Sequence, residues 1–279
     1  MLSLFFLLLT AATTPPFATV EQASALVCEH AVVLDARDQR DFAAGHLPGA
    51  VRIDWKDYRD GWGRTGRLSD DDRALARSLG KLGVDEGRAV LVYGRATAGF
   101  GEEGRIAWML SYLGHPRVSV LDGGYAAWRA AGRAVEVTKG SAPPIGTFTP
   151  HRDDRWRATL PDVVAASQGG GTVLDTRTAL EWNGATPYWE ARGGHIPGAH
   201  HLSWTALFDG EGRLRPRAEL ERLVAAAGVT HERPVLLYCT GGVRSALVWV
   251  VLRSLGYDAK NFDASFWEWA RHDELPVVH

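Results

Sequence analysis

"TVLDTRTALEWNGATPYWEARGGHIPGAHHLSW", residues 172–204, repeats the plan of "VVLDARDQRDFAAGHLPGAVRIDW", residues 32–55. In each, a short apolar strand ends in Asp, an Arg stands two residues later, and a Gly-His-x-Pro-Gly-Ala turn follows. Two further pairs keep the same order. "AVLVYGRATAGFGEEGRIAWMLSYLG" (89–114) returns as "PVLLYCTGGVRSALVWVVLRSLG" (234–256), and "VSVLDGGYAAWRAAG" (118–132) returns as "AKNFDASFWEWARHD" (259–273). Three matches in one order describe a duplicated unit. A chain of 279 residues has room for two domains of about 100–150 residues, each with its own core.

Inside each copy, apolar runs of four or five residues alternate with helical patterns, which is the mark of a parallel sheet with helices on both faces. Strands are expected near 31–35, 89–93 and 117–121, and again near 172–175, 234–238 and 258–262. Helices are expected near 20–28, 70–80, 103–113 and 124–131, then near 160–167, 216–227, 245–255 and 265–270. The stretch "GRAVEVTKGSAPPIGTFTPHRDDRW" has Gly, Pro, Ser and Thr without helical period and reads as a linker. The expected division is a leader at 1–18, a first α/β domain at 19–135, a linker at 136–158 and a second α/β domain at 159–279.

Net charge is −2 with both signs spread along the chain, so no basic footprint for nucleic acid is present. The two cysteines, Cys28 and Cys239, sit in no CxxC and no Cys/His cluster. That spacing removes the usual zinc and dithiol readings, and no metal or cofactor is expected. The two thiols belong to different copies and are read as free. At the N-terminus, Leu2 to Leu9 form an apolar run too short to span a bilayer but suited to a secretory signal, although no Lys or Arg precedes it. Cleavage after Ala12 or Ala18 fits that reading. The expected location is periplasmic or secreted, with no stable membrane span in the mature form; a cytoplasmic location is the alternative.

Ligands of such sheets bind where loops leave the carboxyl ends of the strands. Cys239 stands at one such end, and Gly94 holds the matching place in the first copy. The loop "CTGGVRSA" then turns tightly through Thr240, Gly241, Gly242, Val243 and Arg244, with the glycine pair supplying the backbone freedom. Such a curl aims N–H groups inward as an anion-binding nest, backed by the start of the next helix. Arg244 adds a cation. Surroundings of this kind lower a cysteine pKa from about 8.5 into the range of about 3.5 to 7.5, making the thiol a nucleophile. A buried, inert cysteine is the competing reading, but it leaves the Gly pair and Arg unexplained. For Cys28, in "EQASALVCEH", packing is the better reading.

The duplicated unit, the turns "GHLPGA" and "GHIPGA", the loop "CTGGVR" and the closing "NFDASFWEW" together resemble the rhodanese family, specifically its tandem-domain thiosulfate sulfurtransferases. The resemblance covers nearly all of the chain beyond the leader. It implies two rhodanese-like domains, the first without a catalytic thiol. It also implies a double displacement. Cys239 takes the outer sulfur from a small anionic donor such as thiosulfate, holds it as a persulfide, and yields it to cyanide, a thiol or a protein acceptor. Residues 240–244 would stabilise the thiolate and the persulfide.

The resemblance has departures. "CTGGVR" differs from the "CRKGVT" typical of animal thiosulfate enzymes and from the "CGSGVT" of mercaptopyruvate enzymes. Glu181 occupies the region after Asp175 and Arg177 where those enzymes carry a basic residue. Mercaptopyruvate therefore stays open as a donor. A Cys-based phosphatase or arsenate reductase is a further alternative, weakened because its loop is one residue longer and needs Arg where Ser245 stands. A non-enzymatic persulfide carrier is the third.

Asp175, Arg177 and His195 recur as Asp35, Arg37 and His46 in the copy without a thiol, which favours support of the fold, with a general-base role for the histidine as the alternative. The extra segment "NGATPYWEA" of the second copy suits either a wall over the loop or a contact with the first domain, or a surface loop with no role. Phe266, Trp267 and Trp269 suit core or interdomain packing, since no basic groove accompanies them.

Overall fold

The computed structural model describes residues 14–61, 63–137 and 143–279, which form two α/β units in tandem. In the first, β1 (Phe17–Ala18), β2 (Val32–Asp35), β3 (Val51–Arg52), β4 (Val90–Tyr93) and β5 (Val118–Leu121) make a sheet of order β1-β5-β4-β2-β3. Its helices are α1 (Val20–Cys28), α2 (Gln39–Ala44), α3 (Asp72–Lys81), α4 (Glu102–Tyr112) and α5 (Gly124–Ala130). In the second, β6 (Thr172–Asp175), β7 (His200–His201), β8 (Val235–Tyr238) and β9 (Ala259–Asn261) make a sheet of order β7-β6-β8-β9. Its helices are α6 (Leu160–Ala165), α7 (Ala179–Trp182), α8 (Arg217–Ala226), α9 (Arg244–Leu255) and α10 (Ser265–Trp269). Every strand pairing in both sheets is parallel.

The six strands and eight helices expected are all present, because the central strands are covered on both faces and so carry apolar residues at successive positions, such as Val32–Leu34, Val90–Tyr93 and Val235–Tyr238. Strands β1, β3 and β7 have two residues each, too few to carry any period. Of the expected leader, residues 1–13 lie outside the described residues. Its last two, Phe17 and Ala18, pair with Val120 and Leu121 of β5. The linker is also tied down where it is described. Ala158 donates to the Asn261 carbonyl and Asn261 to the Trp156 carbonyl, so the end of the linker takes the place beside β9 that β1 holds beside β5.

The Asp-x-Arg pair does the same work in both units. Asp175 accepts from the Arg177 backbone N–H and grips its guanidinium, while Arg177 Nη2 donates to the Gly194 carbonyl at 2.8 Å. Asp35, Arg37 and Gly45 repeat each of these bonds. His195 stacks on Trp182 at 3.4 Å, and its Nδ1 lies 3.1 Å from the Trp182 carbonyl; His46 likewise stacks on Phe42. Each histidine also bridges the segment that leaves its unit, His46 to Glu136 and His195 to Val278. The motif ties strand end, turn and exit strand together.

Each unit keeps a buried cluster of its own, with Val33, Leu91 and Trp128 in the first and Val173, Tyr238 and Phe266 in the second, but the largest cluster runs through both, joining Leu34, Ile106 and Trp108 to Leu174, Val248 and Leu252. Helices α4 and α9 meet at its centre so closely that a Cβ on Gly104 would lie 2.4 Å from the Leu247 Cα. The physical reason is that these helices are buried on nearly every face, from Glu103 to Leu110 in α4 and from Arg244 to Leu252 in α9.

Candidate active site

Strand β8 delivers Cys239 to the carboxyl edge of the second sheet, and α9 begins five residues later at Arg244, capped by Val243. Arg244 is thus the first residue of the helix and not the last of the loop. Gly242 has φ of +73°, and a Cβ there would lie 2.2 Å from the Asp263 carbonyl oxygen. A Cβ on Gly241 would lie 2.3 Å from the Trp267 ring. The loop is therefore pressed between the segment after β9 on one side and Trp267 on the other, and only glycine fits at both positions.

Cys239 is buried, with 1% of its surface exposed, at the floor of a cavity of about 390 Å³. Burial pushes its thiol pKa up, but the Arg244 cation, the Ser245 N–H and O–H and the Gly241 N–H outweigh burial and leave it below the ordinary value. Ser245 Oγ sits 3.6 Å from the sulfur and 2.7 Å from Asn261 Oδ1, while Asn261 Nδ2 donates to the Gly242 carbonyl. The Cys239 N–H is turned away from the sulfur and donates to Ser265 Oγ. Thr240, Gly241, Val243 and Arg244 line the cavity with Cys239; Gly242 lies behind them.

Arg244 does not present a bare cation to the loop. Glu181, at the end of the first turn of α7, holds both its Nη1 and Nη2 at 2.7 Å, and also accepts from the hydroxyls of Thr240 and Thr178. Burial pushes the Glu181 carboxyl up, yet these bonds hold it down at about 2. A second buried carboxylate, Glu190, lies 3.4 Å from the Thr240 hydroxyl. Sequence reasoning saw Glu181 only as an absent positive charge; a capping Thr178 three residues before it was the local signal that its side chain points back toward the loop.

The first unit completes the site. Ala36, Asp54, Trp55, Lys56, Arg95 and Phe100 form the wall opposite the thiol loop. Arg105 of α4 is fully buried, donating to the carbonyls of Gly66 at 2.5 Å and Gly242 at 3.4 Å. Burial lowers its pKa to about 10, so it remains a cation at neutral pH. The extra segment of the second copy joins the two sides: Tyr188 lines the cavity and stacks edge-on with Phe100, while the Trp189 carbonyl accepts from Arg64. Trp267 lines the cavity and donates to the Tyr188 carbonyl, whereas Phe266 and Trp269 are buried in the second unit. Asp175, Arg177 and His195 do not line the cavity, and Cys28 is not packed as expected but exposed at the end of α1, whose buried positions are Val20 and Ala23.

The matching place in the first unit is closed. A Cβ on Gly94 would lie 2.1 Å from Glu103 Oε2. The Glu103 side chain is buried, with Oε2 lacking a hydrogen-bond partner among the described residues, and burial followed by the neighbouring Glu102 charge raises its pKa to about 8.

Comparison with known proteins agrees with this duplicated architecture. The rhodanese-like domain family matches residues 19–131 and 160–272. The chain is 33% identical over 262 residues to the thiosulfate sulfurtransferase of Corynebacterium glutamicum, covering 88% of this chain and 84% of that protein. It is 30% identical to the sulfur carrier protein TtuD of Thermus thermophilus, covering 85% and 86%. The crystal structure of SseA, a 3-mercaptopyruvate sulfotransferase from Escherichia coli, superposes with a TM-score of 0.80 at 28% identity, over 90% of this chain and 99% of that one. With two matched copies and one thiol loop, the chain belongs to the rhodanese-like domain family as a tandem sulfurtransferase.

Proposed function

We propose that the protein is a thiosulfate sulfurtransferase working through a Cys239 persulfide. The thiolate attacks the outer sulfur of thiosulfate, the S–S bond of the donor breaks, and sulfite leaves with the bonding pair. Cyanide or a thiol then attacks the outer sulfur of the persulfide and regenerates the Cys239 thiolate. The observation that carries this reading is the buried Cys239 at a cavity floor, drawn toward thiolate by Arg244, Ser245 and Gly241. Relatives named for thiosulfate support that donor, and relatives named for 3-mercaptopyruvate make it the donor to test beside it. The test is thiocyanate formation from cyanide with each donor, in the wild type and in Cys239→Ser. Turnover with thiosulfate that disappears in the variant is the expected result; turnover with mercaptopyruvate alone overturns the choice of donor.

A second reading, a carrier that passes sulfur to a protein acceptor, is favoured by the 30% identity to the Thermus thermophilus carrier. A carrier gains one sulfur in mass from thiosulfate but turns over negligibly with free cyanide. Export to the periplasm or beyond is part of the proposal, resting on the Leu2 to Leu9 run. Cleavage after Ala12 leaves β1 in place, whereas cleavage after Ala18 removes it. Sequencing the N-terminus of protein recovered from the periplasm or medium decides between them, and uncleaved protein in the cytoplasm overturns the export reading.

A further inference from the structure

The cavity above Cys239 has more room than a small inorganic donor requires, since about 390 Å³ falls within the range of pockets that enclose organic ligands. Its guanidinium groups are already committed. Arg37 is gripped by Asp35, Arg95 by Asp38 and Asp41, and Arg244 by Glu181. Lys56 lines the same cavity from the first unit, and among the described residues its ammonium pairs with no carboxylate; the adjacent Asp54 pairs with Arg52. Trp55 and Phe100 on the same wall, with Tyr188 and Trp267 across it, offer apolar surface for a carbon skeleton. In the double displacement the donor's remainder leaves before the acceptor enters, so Lys56 on the wall opposite the thiol loop is open to the second substrate. That substrate must approach the outer sulfur of a persulfide from the same side.

We propose that Lys56 is the specificity-determining anchor for the acceptor, and that the acceptor is an organic thiol bearing a carboxylate. This rests on the persulfide reading above. The acceptor thiolate attacks the outer sulfur of the Cys239 persulfide, the cysteine S–S bond breaks, and Cys239 leaves as thiolate while the acceptor becomes a persulfide.

The experiment loads the full-length protein with thiosulfate, removes excess donor, and follows loss of one sulfur by mass after adding 3-mercaptopropionate, 2-mercaptoethanol or cyanide. Each thiol rate is divided by the same protein's cyanide rate, and wild type is compared with Lys56→Arg, Lys56→Ala and Lys56→Glu. The expected result is a preference for the carboxylate thiol of about fivefold or more in wild type and Lys56→Arg, lost in Lys56→Ala and inverted in Lys56→Glu, in line with a charge contact of about 1 kcal/mol. Equal ratios in all four proteins overturn the role of Lys56 while leaving the persulfide intact. A wild type that never gains sulfur overturns the persulfide reading, and this inference with it.

Discussion

Glu181 closes on Arg244 with both carboxylate oxygens at 2.7 Å, so the cation nearest the Cys239 loop reaches the sulfur already half-neutralised. Replacing Glu181 by Gln removes that restraint and exposes the sulfur to a fuller positive charge. In a Cys28→Ser background, the midpoint of the pH profile for alkylation of Cys239 should fall, by about 1 unit. The same variant leaves a buried guanidinium without its counter-charge and should lose about 3 kcal/mol or more of stability in denaturant titration. An unchanged midpoint would show that the pair is structural only.

The same pair predicts acid sensitivity with a definite sign. Because the folded-state pKa of Glu181 is lowered to about 2, its contribution to stability is complete above the unfolded carboxylate value near 4.5 and drains away as pH falls toward 2. Wild type should therefore lose stability faster than Glu181→Gln between those limits in unfolding measured against pH.

Ser245 has one hydroxyl proton and two acceptors in reach, the Cys239 sulfur and Asn261 Oδ1. Ser245→Ala takes away the hydroxyl and keeps the backbone N–H. The alkylation midpoint of Cys239 should rise by up to about 1 unit, since a hydrogen bond to a charged acceptor contributes about 1.5 kcal/mol. Sulfur loading should slow in parallel below the new midpoint.

Glu103 gives the opposite pH sign. Its folded pKa is raised to about 8, so the folded protein holds a proton that the unfolded chain releases near 4.5. The neutral acid leaves stability intact below 4.5 and erodes it as pH climbs through 8. Glu103→Gln should be more stable than wild type at pH 8, by about 1 to 4 kcal/mol, with the gap closing at pH 4.5. Thermal melts at the two pH values measure it.

Gly66 belongs to the first unit, yet a Cβ on it would lie 2.0 Å from the Gly241 carbonyl oxygen and 2.3 Å from that of Asp263. Gly66→Ala should therefore lower sulfur transfer and cost about 1 to 3 kcal/mol of stability, although residue 66 touches no reacting atom. Full activity in this variant would mean that the loop tolerates displacement by its neighbour domain.

The fold was legible because its central elements advertise themselves: Val32–Leu34 and Val235–Tyr238 are unbroken apolar runs, and the repeat placed Gly94 opposite Cys239. Short helical turns such as Trp55–Tyr58 and Trp204–Leu207 have four residues and no period to detect. The shared core did leave a trace, since "ALVWVVL" in α9 is apolar on every face, as only a fully enclosed helix can be. The site was half visible. Cys239 and its glycines are neighbours in sequence, whereas the bonds from Glu181 to Arg244 and from Arg105 to Gly242 span 63 and 137 residues. No local pattern reports a partner at that distance.

The acid beside Gly94 gives the two halves different futures. Placing a thiol in the first unit takes more than one change, because a cysteine at 94 would strike the Glu103 carboxyl before it met any substrate. The space a side chain at 94 would need is already filled by the Glu103 carboxyl. The first unit instead lends Trp55, Lys56 and Phe100 to the far wall of the cavity above Cys239.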